Sequence, residues 1–203
     1  MTQPLNIRDF LIWKTYLDRP AQESLVDDIR SVLAQAPLFQ PMTRRGPMSV
    51  RMSAAGQFGW VSDTRGYRYE ATHPNGTPWP AIPPSVLNIW DALAGCDRAP
   101  ECCLINWYGK DAHMGLHQDK DEADFSYPVL SLSLGDDGLF RIGSETRGGS
   151  TESIWLQSGD AVVMSGAARL KHHGVDRLRF GSSGLLPKGG RINLTLRVVT
   201  AHR

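Results

Sequence analysis

The chain has 203 residues, 41% of them hydrophobic, with 22 Lys and Arg against 21 Asp and Glu for a formal net charge of +1. That length suffices for one domain with a sizeable core, and the mix of apolar and charged residues excludes global disorder, which needs low hydrophobicity and high net charge. No run approaches the roughly 18 apolar residues of a membrane span, the opening MTQPLNIRDFLIWK lacks a secretory pattern, and Cys96, Cys102 and Cys103 suit neither a disulfide framework nor a CxxC zinc site. A cytoplasmic protein with reduced thiols is expected.

In chain order, residues 1–20 read as an irregular lead. Leu25, Val26, Ile29, Val32 and Leu33 recur at helical spacing and predict a helix over 21–36, with Pro20 near its start and Pro37 past its end. Residues 42–69 carry five Arg, one Asp and glycines at 46, 56, 59 and 66, and are expected to form a mobile lid. Pro74, Pro78, Pro80, Pro83 and Pro84 make 73–84 a loop. Val86, Leu87, Ile89, Trp90 and Leu93 predict a second helix over 84–94, stopped by Gly95. From Cys102 onward the period becomes two. It predicts strands over Cys102–Tyr108, 129–134, 139–142, 153–156, Ala161–Met164 and 191–199, separated by glycine turns, as in a sandwich or barrel. The whole reads as a single domain of 1–203: an N-terminal extension and helix over 1–40, lid and loop over 41–84, helix plus β core over 85–203. Charge is segregated, at +4 over 42–69, −6 over 119–160 and +7 over 165–203. The two basic stretches would face phosphates if folding brings them together.

His117 and Asp119 in LHQD share one side of an extended backbone. An imidazole and a carboxylate converging there fill two positions of a metal, and a second histidine completes the triad of non-haem Fe(II) oxygenases. Of the remaining histidines, His73 lies in the proline-rich loop, His113 in irregular chain and His202 at the end. His172 and His173 follow a strand that can fold back, and as neighbours on extended chain only one of them ligates. In RINLTLR, strict alternation places Arg191, Asn193, Thr195 and Arg197 on one face and Ile192, Leu194 and Leu196 on the other. That donor row suits a dicarboxylate. Asn106 and Tyr108 likewise share one face of their strand.

The order of these pieces resembles the Fe(II)/2-oxoglutarate dioxygenase superfamily. The strings LINWYG, LHQDKDEADFSYPVLSLSLG, RLKHHGV and RINLTLR resemble the AlkB family of nucleic-acid dealkylating dioxygenases. Upstream, MSVRM, FGWVSDTRGYRY and NGTPWPAIP resemble that family's nucleotide-recognition lid and following loop, so the likeness runs from about Gln40 to Arg197. It implies an α+β, mainly β fold: a double-stranded β-helix (jelly roll) with N-terminal helices and a lid. It implies Fe(II) on His117, Asp119 and His173, the histidine directly before glycine. Arg191 would clamp the far carboxylate of 2-oxoglutarate, with Asn106, Tyr108, Asn193 and Arg197 completing that pocket. Trp60, Tyr67, Tyr69, Met52 and Asp121 would contact the flipped base or the nucleic-acid backbone. Met164 departs from the tryptophan expected beside the metal. The implied reaction uses O2 and 2-oxoglutarate to dealkylate N1-methyladenine or N3-methylcytosine, releasing formaldehyde. Its partner is alkylated DNA, single- or double-stranded, with RNA as a further substrate, and the protein is expected to be a monomer. The alternatives are the same chemistry on a modified tRNA base, a protein or a lipid, or an inactive nucleic-acid binder; the intact ligand set argues against the last.

Overall fold

A computed structural model describes residues 3–44 and 46–201; His202 and Arg45, counted above, lie outside them. The lead is not irregular. β1 (Leu5–Ile7) and β2 (Phe10–Trp13) form a hairpin whose second strand joins the larger sheet. Phe10 and Ile12 are fully buried, but an alternation of four residues is short. The turn uses Arg8 and Asp9 at positive φ in place of the usual glycine, so no turn signal marks it. α1 (Arg19–Gln35) starts where the Asp18 carboxylate accepts from the Ala21 N–H at 2.9 Å, a side-chain cap.

The expected lid divides. β3 (Met42–Thr43) pairs with β4 (Gly46–Pro47), and β6 (Gly59–Asp63) with β7 (Gly66–Glu70), as two small hairpins. Between them β5 (Arg51–Gly56) is an edge strand of the larger sheet, so that part of the segment belongs to the core. After α2 (Pro84–Leu93) come β8 (Cys102–Tyr108), β9 (Met114–His117), β10 (Val129–Gly135), β11 (Asp137–Ile142), β12 (Glu152–Leu156), β13 (Ala161–Met164), β14 (His173–Arg179) and β15 (Arg191–Arg197).

The strands form a seven-stranded sheet, β1-β2-β13-β10-β15-β8-β5, and a four-stranded sheet, β12-β11-β14-β9. Both helices cover the outer face of the larger sheet. There Leu25, Val26, Ile29 and Trp90 meet Ile105, Leu132, Leu194 and Leu196, side chains that each contribute about 1.5–3 kcal/mol on burial. A second cluster lies between the sheets and joins Leu104, Val129 and Val162 of one to Phe140, Leu156 and Val175 of the other. Two facing antiparallel sheets with helices on one side form the jelly-roll arrangement. The apolar face of RINLTLR therefore packs under the helices, and its polar face is turned into the space between the sheets.

Candidate active site

His117 ends β9 and stands opposite His173, which begins β14. Gly174 allows the approach, since a Cβ there would lie 2.4 Å from the Met114 carbonyl oxygen. His117 Nε2 is 3.7 Å from Asp119 Oδ1, and His173 Nε2 is 3.7 Å from Asp119 Oδ2. Both separations are too long for a hydrogen bond. Nδ1 of His117 lies 2.9 Å from the Gly115 carbonyl, and Nδ1 of His173 lies 3.0 Å from that of Lys171. A carbonyl only accepts, so each Nδ1 carries the proton and each Nε2 turns a lone pair to the shared space. Asp119 Oδ2 is buried without a hydrogen-bond partner, and one ligand atom from each of the three residues lies within 4.8 Å of the others. Two imidazole Nε2 atoms and a bare carboxylate oxygen facing one space fit a divalent first-row metal. His172 is not part of the cluster; its Nδ1 lies 3.0 Å from the Ser144 carbonyl.

Burial pushes the His173 pKa down to about 4, reinforced by His117, which leaves this imidazole neutral at pH 7. Burial opposes ionisation of Asp119, but the Arg197 guanidinium beside it, by its charge and its hydrogen bond, outweighs burial and holds the carboxyl well below its usual range. Arg197 Nη2 lies 2.8 Å from Asp119 Oδ1, and its Nε lies 3.2 Å from Glu122 Oε1. Glu122 also pairs with Arg169 at 3.0 Å and accepts from the Tyr69 hydroxyl, and Arg169 donates to the Asp119 carbonyl at 2.6 Å. Asp119 is thus held through its side chain and its backbone.

The other end of the site is set by strand register. Arg191 pairs with Tyr108, and Asn193 with Asn106, across β15 and β8. Arg191 is fully buried. It donates to Ser133 Oγ at 2.6 Å and to the Asp136 and Leu156 carbonyls at 3.1 Å each. Its Nε has no partner, and it makes no ion pair among the described residues. Gly138 lies against it; a Cβ there would be 3.1 Å from Nε. A buried guanidinium with a free donor and no anion is suited to an incoming carboxylate. Asn106 Oδ1 is likewise buried and unpartnered. Burial pushes the Tyr108 hydroxyl above its usual value, so it stays a neutral donor. Asn193 is engaged by the protein: its amide donates to Ser131 Oγ and the Leu132 carbonyl and accepts from Thr195.

One cavity of about 500 Å³ runs from Arg191 past the histidines to the small hairpins. Met52, Trp60, Tyr67, Tyr69, Asp121 and Met164 also line it. Trp60 stacks on Tyr67 with centroids 5.3 Å apart and planes at 18°. Its Nε1 donates to Asp121 Oδ2 at 2.8 Å, tying β6 to the loop after His117.

A 2OG-Fe(II) oxygenase superfamily model matches residues 9–197. The chain is 50% identical over 200 residues to the alpha-ketoglutarate-dependent dioxygenase AlkB homolog of Caulobacter vibrioides, covering 97% of this chain and 91% of that protein. The chain belongs to the AlkB family of 2-oxoglutarate and Fe(II) oxygenases. Escherichia coli AlkB is 39% identical over 183 residues, covering 87% and 84% of the two chains. A solved structure of OsALKBH1 superposes with a TM-score of 0.81 at 27% identity, covering 97% of this chain and 99% of that one. As an AlkB-family dioxygenase the protein uses Fe(II), 2-oxoglutarate and O2.

The structure corrects the charge reading. In the +7 stretch Arg169, Arg191 and Arg197 are buried, while Lys171, Arg177 and Arg179 pair with Asp9, Asp176 and Asp137. The three buried arginines are therefore not part of a surface that faces phosphates. In the +4 stretch Arg65 and Arg68 pair with Asp63. Exposed Lys120 and Arg147 line the cavity mouth and carry no ion pair among the described residues. Sequence reasoning also missed Ser131 and Ser133, although VLSLSLG alternates with the same period as RINLTLR. Glu122 and Arg169 lie in irregular segments where no period could mark them.

Proposed function

We propose that this protein removes N-alkyl groups from cationic nucleobases, such as N1-methyladenine and N3-methylcytosine in alkylated DNA, and so serves DNA repair. The observation that carries the reading is one cavity holding the two-histidine, one-carboxylate cluster together with the Trp60–Tyr67 stack and Asp121 at its mouth. The names of its relatives support it: besides AlkB, human ALKBH1, 29% identical over 168 residues, is named a nucleic acid dioxygenase.

His117, Asp119 and His173 would hold Fe(II), which with O2 and 2-oxoglutarate supplies the oxidation of the N-methyl carbon that ends in formaldehyde and the unmodified base. The chain's own groups bind and orient. The Arg191 fork takes the far carboxylate of 2-oxoglutarate, and Tyr108 and Asn106 offer polar atoms along the same wall. Arg197 keeps Asp119 ionised. Trp60 and Tyr67 present aromatic faces to a flipped base, which leaves the stack more readily when damaged. Asp121, with one oxygen occupied by Trp60, adds a negative charge that favours an alkylated, cationic base over its neutral parent. Lys120 and Arg147 meet phosphate at the mouth. The reading is of a monomeric cytoplasmic enzyme in one domain, acting on single- or double-stranded DNA with RNA as a further substrate.

The test compares 2-oxoglutarate turnover with DNA and RNA oligonucleotides carrying N1-methyladenine and with unmodified controls. Methylated DNA should stimulate turnover several-fold; stimulation by the methylated RNA but not by the DNA, or by neither, would overturn the substrate assignment.

A further inference from the structure

We propose that Asp136 is a positioning residue for the co-substrate: its buried carboxylate winds the 180–190 loop so that Arg191 meets a dicarboxylate in the correct orientation. The proposal rests on the reading of Arg191 above as the clamp for the far carboxylate of 2-oxoglutarate.

Asp136 joins β10 to β11 and is fully buried. Its Oδ2 accepts from the backbone N–H groups of Gly181 at 3.0 Å and Gly190 at 2.7 Å, and its Oδ1 from that of Ser183 at 3.0 Å. Its own N–H donates to the Gly190 carbonyl at 2.8 Å, and its carbonyl accepts from Arg191 Nη1 at 3.1 Å. One residue therefore holds the start of the loop, its last residue, and the guanidinium that follows. The neighbouring acids are neutralised by cations, Asp137 by Arg179 and Asp160 by Lys14. Asp136 makes no ion pair among the described residues; three backbone amides satisfy it.

This arrangement has a purpose that folding alone does not require. A bidentate carboxylate contact tolerates only about 10–20° of misalignment. Arg191 is the first residue of β15, so its approach is set by Gly190, which Asp136 grips at both its N–H and its carbonyl. In Asp136→Asn, the amide NH2 must face either the two donors at Oδ2 or the one at Oδ1. A buried N–H then loses its acceptor, and the backbone entering Arg191 shifts.

The test is anaerobic calorimetry on the Fe(II)-loaded protein with two ligands: 2-oxoglutarate, and 2-oxobutyrate, which keeps the chelating end and lacks the far carboxylate. In Asp136→Asn, 2-oxoglutarate should bind about 10-fold more weakly, while 2-oxobutyrate binds as in the parent. Equal weakening of both ligands, or of neither, overturns the positioning role. A parent protein that does not prefer 2-oxoglutarate over 2-oxobutyrate overturns the Arg191 clamp itself, a separate outcome. Should the variant fail to fold, hydrogen exchange on the parent holoenzyme decides. Coupling is reciprocal, so 2-oxoglutarate should slow exchange at the Gly181, Ser183 and Gly190 amides more than 2-oxobutyrate does. Equal protection by the two overturns the proposal.

Discussion

A histidine that binds a divalent ion must give up its proton, and the surroundings of His173 have removed it in advance. Its pKa falls from an ordinary 6.5 to about 4, chiefly through burial. Between those values the unfolded chain takes up a proton that the folded chain refuses, so stability rises with pH across that window and this contribution is flat above it. A shift of that size is on the order of 3 kcal/mol. Urea titrations of the metal-free protein at both ends of the window should show this slope, and His173→Gln should flatten it; an unchanged slope would assign it to other groups. Arg191 is a planar fork wedged against Gly138, and an ammonium cannot reproduce its two parallel bonds. Arg191→Lys should raise the apparent KM for 2-oxoglutarate by about 10-fold or more, and an unchanged KM would remove Arg191 from the clamp. Asp121 acts on the other substrate. In Asp121→Asn, demethylation of N1-methyladenine should fall while uncoupled 2-oxoglutarate turnover continues. Equal loss of both rates would place Asp121 in support of the metal site.

At the scale of elements, the pairing of β9 with β14 brings the two histidines together, and Gly174 permits it. Gly174→Ala places a Cβ within 2.4 Å of a carbonyl oxygen, so the strands must part. Metal affinity, read by Co(II) absorption, should drop at least about 10-fold while the larger sheet keeps its far-ultraviolet signature; unchanged affinity would mean that the edge relaxes freely. The sequence revealed these elements unevenly. β15 was legible because its alternation runs unbroken over seven residues and both faces are used. α1 was legible from five apolar positions and two flanking prolines. β9 and β14, which carry two of the three cluster residues, were not. MGLH is four residues long, and HGVDRLR scatters charge along an outward strand, so neither shows a period-two apolar face. The local strings of the family resemblance, and no periodicity, pointed to His173 over His172. β5 was absorbed into the lid because RMSAAG is small and weakly patterned, although all six of its residues, Arg51 to Gly56, pair with β8 in the larger sheet. The burial of Arg169, Arg191 and Arg197 could not be read from charge counts, which do not distinguish a solvated arginine from a buried one.

For the whole molecule, the helices seal one face of the larger sheet, which leaves its inner face free to be polar. A row of Arg, Asn, Thr and Arg would be unfavourable in an ordinary sandwich core. Here it lines a cavity closed at one end by Arg191 and open at the other between His117, Asp121 and the β6–β7 hairpin. The Glu122 cluster links Tyr69 of that hairpin to Arg197 and so to Asp119, making the outer wall and the metal cluster one connected structure. The central claim is that this cavity couples 2-oxoglutarate consumption to removal of an alkyl group from a base. The most direct measurement is formaldehyde and succinate from one reaction, with N1-methyladenine in single-stranded DNA, Fe(II) and O2, with and without 2-oxoglutarate. The account predicts formaldehyde only when 2-oxoglutarate is present, in amounts that match the adenine restored and do not exceed the succinate formed. Succinate formation with the methylated base left intact would contradict it.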